Sequence, residues 1–227
     1  MTISKIKAVA FDLDGLMFDT EKNNYRVNCE LMRRRGREYT DELCQAVMGT
    51  PPKASFMMMI QWYSLNDAWQ EMQKESDAIF LKLIEEEGVE PMPGLFELLN
   101  EIERRKIPKC ICTSNTPYFA RLILDAYNMA PRFDFILTSQ DIVHGKPNPE
   151  VYLKAAERFE IEPSSLMVFE DSVQGSLAAR SAGAFTVVVL ADHNKTQHFP
   201  HASRIVHQLN APEILGILTR SFLQREV

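Results

Sequence analysis

No window of this chain approaches the run of about 20 apolar residues that a membrane-spanning helix needs, although 45% of its 227 residues are hydrophobic. Basic excess is missing as well. The formal charge of −6 argues against nonspecific nucleic-acid binding, so an anionic ligand would have to be met by local lysines, backbone N–H groups or a metal. Cysteine is scarce: Cys29, Cys44, Cys110 and Cys112, of which only the last two are close, as C-x-C in IPKCICTS. Residues i and i+2 of a strand face the same way, so this pair reads as packing on one face of a sheet, with metal or redox chemistry as the alternative. The start, MTISKIKAVAF, has a short apolar run followed by an acidic motif and lacks the cleavage site of a secretory signal. The expectation is a cytoplasmic protein with no membrane and no nucleic acid among its partners. The sequon Asn194-Lys195-Thr196 carries little weight in such a chain. Internal repeats and low-complexity tracts are absent too. Four of the five histidines (His193, His198, His201 and His207) fall before the tail at a spacing that fits no zinc motif.

What is present is alternation. KAVAFDLD, PKCICTS, FDFILTS, SLMVFED and AFTVVVL are short runs rich in Val, Ile and Phe with little polar alternation, the pattern of covered parallel strands. Helical spacing fills the gaps at Leu95 to Arg105, Tyr118 to Tyr127, Pro149 to Phe159, and Ser172 to Ala182, which ends at Gly183. From about Leu95 onward strand and helix alternate, which implies a doubly wound α/β sheet closed by an edge strand, RIVHQL, and a helix from Pro212 to Leu223. From about Met17 to Met92 there is no strand, only helices: Asn23 to Arg35, Asp41 to Met48, Ala54 to Trp62 and Asp67 to Glu87. This segment reads as a helical insert after the first strand, hanging over the strand edge where open α/β sheets bind ligands.

Polar groups sit at the ends of four strands. They are Asp12 and Asp14 in FDLDG, Thr113, Ser114 and Asn115 in CTSN, Lys146 in GKPNPE, and Glu170, Asp171 and Ser172 in FEDSVQG. Singly, each has a plain structural reading: a D-G turn, a helix cap, a solvated lysine, an N-cap pair. Parallel strands bring their C-terminal ends to one edge, and four carboxylates with one lysine there repel each other. A hard divalent cation such as Mg²⁺ would balance them and bridge to a substrate phosphate, so the set reads as a phosphoryl-transfer site.

These four ordered motifs resemble the haloacid dehalogenase superfamily, in the branch with FDLDG, KPxPExY and EDSxxG that holds beta-phosphoglucomutase and many small-metabolite phosphatases. The likeness covers nearly the whole chain. It implies a Rossmann-like, mainly parallel core over 1–16 and 93–227, with an inserted α-helical cap over 17–92. It also implies Asp12 as a nucleophile forming an aspartyl-phosphate, and Asp14 as the general acid and then base. Mg²⁺ would be bound by the side chains of Asp12 and Asp171 and the backbone carbonyl of Asp14, with Glu170 a ligand directly or through water. Thr113 and the N–H of Ser114 would bind the phosphoryl group, and Lys146 would neutralise it and Asp12. The dehalogenases proper lack the second aspartate, so Asp14 favours phosphate esters over organohalides.

The cap departs from the mutase pattern. Asn24 stands where beta-phosphoglucomutase has a histidine. In MGTPPKAS, Pro51 and Pro52 lie near the place of its phosphate-binding arginine, and Lys53 is the nearest cation. Asn24 and Lys53 are therefore the candidate substrate contacts. Hydrolysis is favoured over mutase chemistry, and a noncatalytic phosphometabolite-binding protein is the third reading. The expected partner is a small phosphorylated metabolite, a sugar phosphate or nucleotide-like ester, on a monomer or weak homodimer. Met57-Met58-Met59 reads as core packing or a substrate-facing lining, Arg33-Arg34-Arg35 as a solvated surface, with attraction of an anionic substrate to the cleft as the alternative, and Asp19 as a residue ordering the hinge into the cap.

Overall fold

A computed structural model describes residues 5–47, 50 and 52–222; Met48, Gly49 and Pro51, named in the cap-loop reading above, lie outside the described residues. The chain divides into two units, residues 1–19 with 90–227, and residues 20–89.

The first unit is a six-stranded sheet. Its strands are β1 (Ala8–Phe11), β2 (Lys109–Cys112), β3 (Phe135–Leu137), β4 (Leu166–Glu170), β5 (Phe185–Val189) and β6 (Arg204–Val206). They lie in the order β3-β2-β1-β4-β5-β6, and every pair among the described residues is parallel. This is the strand order of doubly wound folds, with its direction reversing between β1 and β4, where ligands bind outside the C-terminal ends. β1 and β4 are buried on both faces, as their unbroken apolar runs require.

The two faces differ in bulk. On one, Ala8, Ala10, Cys110, Cys112 and Val168 pack under α7 (Glu150–Arg158) and α8 (Val173–Ala182), whose contacting residues are mostly small. Cys110 Sγ and Cys112 Sγ lie 3.8 Å apart in this layer, both fully buried and both free. On the other, Phe11 stacks on Phe169 at a centroid distance of 5.1 Å, and Phe133 meets Phe11 edge-on. The remaining helices of this unit are α5 (Leu95–Arg104), α6 (Pro117–Asp125) and α9 (Pro212–Phe222). In α5, Leu95, Leu98, Leu99 and Ile102 form one fully buried stripe at helical spacing. The N-cap of α6 is Thr116, whose hydroxyl accepts from Phe119 N, and that of α8 is Ser172, which accepts from Gly175 N. Neither Thr113-Ser114-Asn115 nor Glu170-Asp171 caps a helix, which leaves their side chains for other partners.

The second unit contains α1 (Thr20–Arg33), α2 (Asp41–Val47), α3 (Pro52–Tyr63) and α4 (Trp69–Glu87). Ion pairs near both ends of α4 tie it antiparallel to α1. Arg26 donates twice to Glu87, at 2.6 Å each, and Arg35 donates to Asp67 (2.6 Å) and Glu75 (2.8 Å). The expectation that Arg33 to Arg35 are all solvated fails for Arg35, which stands just beyond α1 with two carboxylates facing it. Of the methionine run, Met59 is buried and Met57 exposed, because three consecutive helical positions cannot share one face. Asp19 N donates to Glu90 O at 2.8 Å, joining the two chain segments where the first unit is interrupted.

Replacing Phe169 by Ala removes the ring stacked on Phe11 and should cost about 3–5 kcal/mol. Chemical denaturation checks this, and Phe169→Leu is expected to retain most of the stability.

Candidate active site

The carboxylates meet at the C-terminal ends of β1 and β4. Asp12 leaves β1 and its N–H donates to Phe169 O (3.0 Å), so the neighbouring strand holds its backbone. Lys146 arrives from the loop before α7 with its ammonium almost wholly enclosed. Nζ donates to Asp12 Oδ1 (2.5 Å), Glu170 Oε1 (2.6 Å) and the carbonyl of Cys112 (3.0 Å), which uses all three of its donors. Glu170 is fully buried at the end of β4. Its Oε1 also accepts from Tyr152 Oη (2.5 Å), and its Oε2 accepts from Ser172 Oγ (3.0 Å) and, at longer range, from the N–H groups of Asp171 and Ser172.

Asp14 belongs to a different set. Its Oδ2 accepts from Asn115 Nδ2 (2.7 Å) and Thr113 Oγ (3.3 Å), while Thr113 Oγ accepts from Asn115 N (3.0 Å). Ser114 is exposed between them. Asp12, Lys146, Glu170 and Asp171 thus come together, and Asp14, Thr113 and Asn115 bond to one another. Asn24, half-buried on α1, and Lys53, on α3 with its ammonium 5.4 Å from the Trp69 ring centre, belong to the other unit.

Burial pushes Asp12 well above the ordinary carboxylate range, against the opposing pull of Lys146. Asp171 is raised by the same cause, opposed mainly by a hydrogen bond with His193. Burial alone would lower Lys146, but the charges of Asp12 and Glu170 outweigh it and hold it above the usual lysine value. One oxygen each from Asp12, Glu170 and Asp171 lies within 4.8 Å of the others. A surplus of buried negative charge on an all-oxygen donor set fits a hard divalent cation such as Mg²⁺.

Four contributors carried no role in the sequence reading. Tyr152 was visible as the last residue of KPxPExY, but its 2.5 Å bond to Glu170 depends on a helix register that only packing decides. Asn115 sat beside Thr113 and read as a cap. Gly175, within FEDSVQG, leaves the space that Glu170 fills: a Cβ there would come within 1.9 Å of Oε1 and 2.1 Å of Oε2. His193, whose Nε2 is 2.8 Å from Asp171 Oδ2, is 22 residues away in sequence and had no signal. Asn194, the sequon residue, is buried and donates to the carbonyls of Asp171 and Val189.

A family model described as haloacid dehalogenase-like hydrolase matches residues 9–189. The chain is 30% identical over 182 residues to a phosphorylated carbohydrates phosphatase of Thermotoga maritima, covering 78% of this chain and 82% of that one. It is 32% identical over 226 residues to a protein described as a probable pseudouridine-5'-phosphatase of Drosophila melanogaster, covering 95% and 96%. Among solved structures it is similar to a provisionally assigned beta-phosphoglucomutase from Thermotoga maritima. The TM-score is 0.79 at 27% identity, covering 95% of this chain and 99% of that one.

Because both oxygens of Glu170 are held, Gly175→Ala cannot be absorbed by moving that side chain, and a cost of about 1–3 kcal/mol is expected in denaturant unfolding. A second test concerns the loop that presents Lys146. The Glu150 carboxylate accepts from Val143 N (2.9 Å) and His144 N (2.8 Å) and pairs with Lys154, and the Val143 bond foremost holds its pKa at about 2 against an ordinary 4.5. A depressed pKa stabilises the fold fully above about 4.5, and the gain is lost as pH falls toward about 2. Glu150→Gln should therefore be less stable than wild type at pH 7, with a gap that narrows as pH falls through that window in thermal unfolding.

Proposed function

This chain belongs to the haloacid dehalogenase-like hydrolases, and on that footing we propose that it is a Mg²⁺-dependent phosphatase that hydrolyses a small phosphate ester through an aspartyl-phosphate at Asp12. The observation that carries the reading is the division between the two aspartates of FDLDG. The Asp12 carboxylate is paired with Lys146 in the buried acidic group, and the Asp14 carboxylate, near enough for its charge to raise Asp12, accepts from Asn115 and Thr113. One is poised as a nucleophile whose charge is balanced, the other as a carboxyl that can carry a proton.

With Oδ1 of Asp12 held by Lys146, Oδ2 attacks the phosphorus as the bond to the alcohol oxygen breaks. Asp14 donates its proton to that oxygen. It then takes a proton from the water that attacks the aspartyl-phosphate, which frees Asp12 and inorganic phosphate. Thr113 donates to Asp14 in this structure, so it must redirect its hydroxyl to meet the phosphoryl group, with the Ser114 N–H beside it. Mg²⁺, held by the side chains of Asp12 and Asp171 and the backbone carbonyl of Asp14, would supply positive charge to the transferring phosphoryl oxygens. Glu170 suits contact through water better than direct ligation, because Lys146, Tyr152 and Ser172 already engage both its oxygens. Its main work is then to hold Lys146.

The relatives described as a phosphorylated carbohydrates phosphatase and a probable pseudouridine-5'-phosphatase support a sugar phosphate or nucleoside monophosphate as substrate here. Asn24 and Lys53 are the proposed substrate contacts of the cap. The proposed setting is the cytoplasm; no helix among the described residues is long and apolar enough to cross a membrane. The similarity to a provisionally assigned beta-phosphoglucomutase keeps the mutase as second reading.

Phosphate release from a panel of hexose phosphates, pentose phosphates and nucleoside monophosphates tests the proposal. Activity should require Mg²⁺ and disappear with a chelator. Asp12→Asn should lose at least about 10³-fold and Asp14→Asn about 10²–10⁴-fold. Conversion of hexose 1-phosphate to 6-phosphate without free phosphate would favour the mutase. Full activity in Asp12→Asn would contradict both.

A further inference from the structure

Asp171 has a partner that none of the four motifs supplies. His193 lies in the loop after β5, and its neighbour Asn194 anchors that loop. The Asn194 amide donates to Asp171 O (2.7 Å) and Val189 O (3.0 Å), and its oxygen accepts from Ala191 N (2.8 Å). The clamp presents the His193 ring to Asp171, with Nε2 at 2.8 Å from Oδ2 and the side chain 18% exposed. Gly15 packs against the same oxygen, beside the imidazole. A Cβ there would fall 2.3 Å from Asp171 Oδ2 and 3.2 Å from His193 Nε2, and the positive φ of Gly15 (73°) disfavours any side chain. Oδ2 therefore meets an imidazole and a bare backbone that lie side by side against it.

We propose that His193 is a positioning residue for the metal centre. It donates Nε2–H to Asp171 Oδ2 and fixes the plane of the carboxylate, so that a lone pair stays directed at the cation. The inference rests on the reading of Asp171 as a Mg²⁺ ligand. Imidazole suits the task because it donates this bond while neutral, whereas lysine or arginine would set a permanent positive charge against the cation's own ligand. His193 is not itself a ligand, since the group whose oxygens converge within 4.8 Å is Asp12, Glu170 and Asp171. Hydrogen-bonding partners of ligating carboxylates typically matter about 10–100-fold in metal affinity.

The test is direct calorimetric titration of the full-length protein with Mg²⁺, without substrate. His193→Ala should weaken Mg²⁺ binding by about 10-fold or more, and His193→Gln, which keeps an N–H donor, should recover much of the loss. Unchanged or tighter binding in His193→Ala would overturn the proposal, as would equal losses in the Ala and Gln variants. If His193→Ala fails to fold, the Gln variant decides: binding within about threefold of wild type supports the role, and a loss as large as 10-fold overturns it. Asp171→Asn separates the two layers of the argument. If it binds Mg²⁺ like wild type, the ligand reading fails and this inference with it. If it loses Mg²⁺ while His193→Ala does not, only the role of His193 falls.

Discussion

The Lys146 ammonium, enclosed between Asp12, Glu170 and the carbonyl of Cys112, is the interaction on which the rest of the site depends. Buried carboxylates are costly unless paired, and removing one partner of such a group leaves an uncompensated charge. Lys146 offsets part of that cost by spending all three of its donors inside the cluster. Tyr152 and Ser172 complete the coordination of Glu170. What remains is a surplus of negative charge on Asp12 and Asp171, both of which burial drives toward their protonated forms. A site in that condition suits a cation, through which the proposed phosphate ester would be held.

The scaffold makes this electrostatic arrangement possible by geometry. Parallel strands β1 and β4 pair residue for residue, Phe11 beside Phe169, so the residues that follow each strand emerge side by side. The reversal of strand order at that point opens a crevice where Asp12 and Asp171 can face one another. Close approach then needs bare backbone. Gly175 admits Glu170 and Gly15 admits Asp171, each at a distance no Cβ would permit. The small residues of α8 and the bulky Phe pair on the opposite face hold the strands at fixed depth.

Much of this could be read from residue patterns. The six strands and nine α-helices among the described residues were legible because covered strands have unbroken apolar runs and helices have periodic ones; boundaries shifted by up to three residues. That Asp12, Asp171 and Thr113 stand just past strands and Glu170 at the end of one could be read from where the apolar runs stop, whereas Lys146, in the loop before α7, was marked only by its motif. What escaped were relations between residues distant in sequence. Tyr152 depends on helix register and His193 on a loop that returns across the sheet edge, and Arg35 turned inward although its neighbours face solvent. Asn115 was misread because a polar residue before a helix ordinarily caps it, whereas here Thr116 does so. The difference between Glu170 as ligand and Glu170 as holder of Lys146 was also illegible, because composition does not say which lone pairs are taken.

The central claim is that Asp12, balanced by Lys146 and separated in role from Asp14, becomes covalently phosphorylated. Protein quenched during turnover of a cleaved substrate and treated at once with borohydride reports on this directly, since an acyl phosphate is reduced to the alcohol. The account predicts homoserine in place of aspartate at position 12 by peptide mass spectrometry, dependent on Mg²⁺ and substrate. Unmodified Asp12 under conditions where phosphate is released and a control acyl phosphate is trapped, or homoserine at position 14 instead, would contradict it.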